Sequence, residues 1–153
     1  MNASFIKNAA EALYVASEME KRAIRLYERA ALLWPGTPCY STISHLLADE
    51  KGHLEQFRQM NTDSPGCDEA SLLLSAYAAG VLFPGGLAEA ARQGVFESPE
   101  ALITYAAEQE KTAVSSYRSF AMACGDPASG TFLAIADEES RHLEKLNALY
   151  ALS

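Results

Sequence analysis

The 153-residue chain is nearly half apolar and carries a net charge of -8. It is long enough for one domain with a sizeable core, and its six prolines and nine glycines are too few for a disordered or collagen-like chain. The acid excess, with no cluster of Lys and Arg, argues against a nucleic-acid partner. No apolar run approaches the roughly 20 residues of a membrane span. The start, Met1 to Arg22, carries Glu11, Glu18 and Glu20 and does not read as a signal peptide. The expected location is the cytosol.

Taken in chain order, breakers mark out four long predicted helices, about 4–33, 38–61, 99–124 and 127–152. Trp34-Pro35-Gly36-Thr37-Pro38 separates the first two. The segment from Asn61 to Cys67 ends the second. Thr37-Pro38, Ser98-Pro99 and Asp126-Pro127 each have the pattern of an N-cap followed by proline at the first helical position. No alternating strand pattern competes. Short links predict antiparallel neighbours for helices 1 and 2 and for helices 3 and 4. The long stretch between helices 2 and 3 predicts that those two run parallel. Within it, Ala70 to Ala79 and Leu87 to Gln93 also look helical, interrupted at Pro84-Gly85-Gly86. The expected fold is all-α, a single-domain four-helix bundle with one long crossover.

The halves repeat. Segment 16–31 aligns without gaps on 106–121, so that Ala16, Glu18, Glu20, Lys21, Ala23, Tyr27 and Ala31 recur as Ala106, Glu108, Glu110, Lys111, Ala113, Tyr117 and Ala121. Glu50, His53, Leu54 and Glu55 recur as Glu139, His142, Leu143 and Glu144. The chain reads as two copies of one helical hairpin.

The acidic residues sit in the apolar stripes. Helix 2 gives Ile43, Leu46, Glu50, His53, Phe57 and Met60, and helix 4 gives Phe132, Ile135, Glu139, His142, Leu146 and Leu149. Steps of three and four keep such residues on one face. Helix 1 places Glu20 between Leu13, Ala16 and Tyr27, and helix 3 places Glu110 between Ile103, Ala106 and Tyr117. Four carboxylates in one core need partners, because an unpaired buried charge is very costly. No Lys or Arg occupies these stripes. Two divalent cations would balance the four carboxylates, and the imidazoles add neutral nitrogen ligands. The candidate metal ligands are therefore Glu20, Glu50, His53, Glu110, Glu139 and His142. Tyr27 and Tyr117, two turns beyond Glu20 and Glu110, are placed to hydrogen-bond the carboxylates. His45, Glu18, Glu55, Glu108 and Glu144 fall outside the stripes and read as surface residues. The cysteines, Cys39, Cys67 and Cys124, form no C-x-x-C pair and read as buried thiols.

On Glu20…Tyr27, Glu50-x-x-His53, Glu110…Tyr117 and Glu139-x-x-His142, the chain resembles the rubrerythrin branch of the ferritin-like di-iron carboxylate superfamily, over all four helices. The resemblance implies two irons, with manganese also suited to the donors. It implies Glu50 and Glu139 as bridging ligands, Glu20 and Glu110 as terminal ligands, and His53 and His142 each capping one ion. The implied function is an oxidoreductase acting on hydrogen peroxide or dioxygen; iron storage and a metal-free helical interaction module are the alternatives. Rubrerythrins usually carry a rubredoxin domain with paired C-x-x-C motifs, which this sequence does not show, so the electron donor is expected to be a separate protein. They also carry an extra glutamate where this chain has Ala113. Finally, Leu72-Leu73-Leu74, Tyr77 and Val81-Leu82-Phe83 make the crossover strongly apolar. They either pack along helices 2 and 3 or help to form a homodimer, the state this family commonly adopts.

Overall fold

A computed structural model describes residues 6–61 and 69–152. Among these the chain is all-helical: α1 (Ala9–Ala30), α2 (Pro38–Met60), α3 (Glu69–Val81), α4 (Gly86–Arg92), α5 (Pro99–Ala123) and α6 (Ala128–Leu152). The predicted breakers act by identifiable bonds. The Thr37 side chain accepts from the Tyr40 N–H and starts α2, and Ser98 accepts from the Ala101 N–H and starts α5. Each of these satisfies a backbone donor that the first helical turn leaves free. Helix α1 begins five residues later than the sequence pattern predicts, because Asn8 caps it by accepting from the Glu11 N–H. Helix α6 begins at Ala128, one residue past Pro127, which follows a cis peptide bond. Cys67 lies outside the described residues. Cys39 is buried, whereas Cys124 is only half-buried, so the expectation of buried thiols holds for the first alone.

Helix α1 packs on α2 and α5 on α6; the pairs meet where α2 touches α6 and α1 touches α5. Ring contacts give the directions. Phe57, seven residues after Glu50, lies 5.6 Å from Tyr117, seven after Glu110. Phe132, seven before Glu139, lies 5.4 Å from Phe57 and 5.9 Å from Tyr117. So α2 and α5 run parallel and α6 runs against both, as the long crossover predicts.

The crossover lies mainly along α1, and its turn at Phe83 also reaches α5. Both α3 and α4 pack against α1. The reason is a second apolar row on α1, Ala12, Val15, Met19 and Leu26, all buried. Between α3 and α4 the chain turns sharply at Phe83, whose φ is +47°, followed by Gly85 and Gly86 at +78° and +64°. One sequence expectation is corrected here. The segment Ala70–Arg92 is long and apolar enough, by length and composition, to cross a membrane, and no charged residue falls between Ala70 and Ala88. In this structure the turn at Phe83 divides it into two helices.

Candidate metal centre

All six candidate ligands are at most 3% exposed: Glu20, Glu50, His53, Glu110, Glu139 and His142. The stripes place them mid-helix, one Glu from each of α1 and α5 and a Glu-x-x-His pair from each of α2 and α6. The structure brings them into two overlapping groups. Ligand atoms of Glu20, Glu50, His53 and Glu139 lie within 4.8 Å of one another, and so do those of Glu50, Glu110, Glu139 and His142. Glu50 and Glu139 belong to both. The two imidazole rings are 5.9 Å apart and nearly parallel.

One atom of each residue makes no hydrogen bond, although His53 Nδ1 lies 3.2 Å from both Glu50 Oε1 and Glu139 Oε1, and His142 Nδ1 lies 3.5 Å from Glu50 Oε1 and 3.2 Å from Glu139 Oε1. Tyr27 donates to Glu110 Oε1 at 2.6 Å, and Tyr117 donates to Glu20 Oε1 at 2.8 Å. Each tyrosine therefore serves the glutamate of the other hairpin. Burial, then the nearby Glu110 and Glu50 for Tyr27 and Glu20 and Glu139 for Tyr117, push both phenols well above their usual range. They remain O–H donors. The histidines are bonded on their outer nitrogens: His53 Nε2 meets Glu138 Oε2, and His142 Nε2 meets Asp49 Oδ2 at 3.0 Å. These contacts also cross between hairpins. With Nε2 carrying the proton in these bonds, a neutral ring presents the Nδ1 lone pair to the interior. The buried atoms left without hydrogen bonds include Glu20 Oε2, Glu50 Oε1, His53 Nδ1, Glu110 Oε2, Glu139 Oε1 and His142 Nδ1. All six residues thus carry an atom without a hydrogen bond, and all six meet in the two overlapping groups.

Buried polar atoms are almost always satisfied, and here the inner imidazole nitrogens face the shared carboxylate oxygens, an arrangement that protons or a cation would compensate. The ionisation behaviour agrees. Burial raises Glu50 and Glu139 well above the usual carboxylate range, and the neighbouring glutamates raise them further. Burial disfavours the charged form of His53 and His142, but the facing carboxylates outweigh it. They raise both imidazoles, His142 to about 9. Without a cation, the centre holds protons that a cation would replace. The buried Glu and His groups could hold a metal ion, and hard carboxylate oxygens with some imidazole suit iron or manganese.

Asp49 and Glu138 are functional residues that the apolar stripes do not reveal, because both lie at the rim with side chains 49% and 42% exposed. Their signal was the repetition of an acid directly before Glu50 and Glu139. Such outer carboxylates hold a ligating histidine in one tautomer and orientation. Replacing Asp49→Asn or Glu138→Gln should weaken divalent-metal affinity about 10- to 100-fold while leaving helicity unchanged. Equal affinity by isothermal titration would show that the contacts do no orienting.

The residues placed at the surface behave mostly as expected. His45, Glu55, Glu108 and Glu144 are exposed, while Glu18 is half-buried. Glu18 pairs with Lys21, and Glu108 with Lys111, each at 3.2 Å. No protein-family model, curated protein or solved structure matches the chain.

Proposed function

We propose that the chain is a rubrerythrin-like member of the ferritin-like di-iron carboxylate superfamily. On this reading α1, α2, α5 and α6 are its four-helix bundle, and α3 and α4 form its long crossover. The observation that carries it is the meeting of six buried residues, two isolated glutamates and two Glu-x-x-His pairs, each with one atom that makes no hydrogen bond. Glu50 and Glu139, common to both groups, would bridge two ions. Glu20 and His53 would complete one coordination shell, and Glu110 and His142 the other. Bound iron would supply ferrous–ferric redox chemistry toward hydrogen peroxide or dioxygen. Tyr27 and Tyr117 hold Glu110 and Glu20 through Oε1, and Oε2 of each makes no hydrogen bond. The surrounding Phe57, Phe120, Phe132, Ile43, Leu46 and Ile135, all buried, exclude water and strengthen electrostatic interactions inside. Reducing equivalents would come from a separate electron-transfer protein.

Anaerobic loading with ferrous ion, followed by peroxide, tests the redox reading. Bound iron should oxidise faster than free ferrous ion, with a new near-ultraviolet absorption, and a reductant should make peroxide consumption continuous. Oxidation no faster than in buffer would overturn it.

The same reading includes a homodimer. Leu72 and Leu73 are 71% and 52% exposed on the stretch between Ala70 and Ala88, which carries no charged residue, and apolar patches of this kind mark association surfaces. Light scattering should give twice the 16.5 kDa of one chain. A mass of 16.5 kDa would remove the dimer, and a far larger hollow shell would favour iron storage.

A further inference from the structure

The two sides of the Glu/His cluster differ. On the α1–α5 side the crossover turn covers it. Phe83 is buried, with its ring 6.2 Å from Tyr27 and 5.8 Å from Tyr105. Arg22 donates to the backbone oxygens of Leu82 and Phe83 at 2.7 and 2.5 Å, and the Phe83 N–H donates to Gln109 at 2.7 Å. Arg22 and Gln109 come from α1 and α5, so both helices clamp the turn. A left-handed φ is costly for a bulky residue, and these bonds hold it in place. On this side a phenyl ring and carbonyl groups that are already bonded lie over the cluster.

The α2–α6 side has a polar cavity of about 170 Å³, lined by Asp49, Glu138, Arg141, His142 and Lys145. His142 is 1% exposed. Its outer nitrogen bonds Asp49 at the cavity, and its inner nitrogen is one of the orphaned atoms. A single imidazole therefore separates the cavity from the cluster. Asp49 and Glu138 are the half-exposed carboxylates on the way in, and each holds a histidine of the opposite hairpin.

We propose that divalent cations reach and leave the buried cluster through this α2–α6 mouth, received by Asp49 and Glu138 and slowed by Arg141 and Lys145. The proposal rests on the metal-centre reading. A divalent cation sheds water only where other oxygen ligands replace it. The two rim carboxylates provide that replacement, at the moment they release the imidazole N–H groups and let the rings move aside. The chain's net charge of -8 attracts cations over the whole surface, but Arg141 and Lys145 oppose them at this point. Local charge of this kind changes association rates, and salt screens its effect.

The test is stopped-flow uptake of Co²⁺ by the metal-free full-length chain at low ionic strength, read from its visible ligand-field bands. Arg141→Ala with Lys145→Ala should speed uptake on the order of tenfold, and the gain should vanish near 1 M salt, where the Debye length is about 3 Å. Lys21→Ala with Lys111→Ala removes the same charge from α1 and α5, and it should change the rate less than twofold. The final spectrum should be the same in all three proteins, showing an intact site. Equal rates for the three, or equal acceleration by both variants, would overturn the mouth while leaving the metal centre standing. No ligand-field spectrum in any of them would remove the centre itself, and the mouth with it.

Discussion

If metal occupies the centre, stripping it should lower the melting temperature by about 10 °C at pH 8 and by little at pH 5. Metal at about a thousand times its dissociation constant adds about 4 kcal/mol to the folded state. For a domain of this size that corresponds to about 10 °C. The pH dependence follows from the protons that the metal-free centre holds. Glu50 and Glu139 are raised by burial and by their glutamate neighbours. From the ordinary carboxylate pKa of about 4.3 upward, the unfolded chain has released these protons while the folded chain must still give them up. Folded stability therefore declines as pH rises. For His142, burial disfavours the charge but the carboxylates raise it from 6.5 to about 9. Its contribution is complete below pH 6.5 and is lost as pH climbs toward 9. Both signs agree: the metal-free protein weakens with rising pH. Metal binding strengthens over the same range, because ligands must be deprotonated. Calorimetry of loaded and stripped protein from pH 5 to 8 measures the gap. A gap constant with pH would contradict the assignment of protons and metal to one site.

Replacing both shared glutamates, Glu50→Gln with Glu139→Gln, should abolish binding of both ions. Either change alone removes a ligand from each group, since both residues belong to both. The double variant also removes the two carboxylates whose ionisation burial opposes most clearly. Compared in the metal-free state at pH 8, it should melt at or above the temperature of the unaltered chain, because a neutral amide is far less costly to bury than an unpaired charge. Loss of metal with a retained or raised melting temperature separates a ligand role from simple structural damage. A double variant that still binds two ions would show that other residues hold them.

The buried Glu/His cluster was legible because helical spacing alone puts Glu50 and His53 on the row of Ile43, Leu46 and Phe57, and Glu139 and His142 on the row of Phe132, Ile135 and Leu146. Burial of every one of these residues follows the same periodicity. The caps at Thr37 and Ser98 were equally local. What the spacing does not carry is contact between hairpins. Tyr27 lies two turns from Glu20 on its own helix yet bonds Glu110, and the pairing depends on how α1 and α5 meet. Asp49 and Glu138 flank the stripe and would pass as solvated acids without the histidines opposite them. The crossover's seat was also tertiary. Pro84-Gly85-Gly86 marked a break, but the buried residue that turns left-handed is Phe83, held by Arg22 and Gln109 from distant segments. The second apolar row of α1 was the available sign that α3 and α4 would cover that helix.

The most direct measurement is the metal content of protein reconstituted anaerobically with ferrous ion, freed of unbound metal and assayed by elemental analysis. About two irons per chain are expected, because six residues form two candidate ligand groups sharing Glu50 and Glu139. Retention of no tightly bound iron would contradict it.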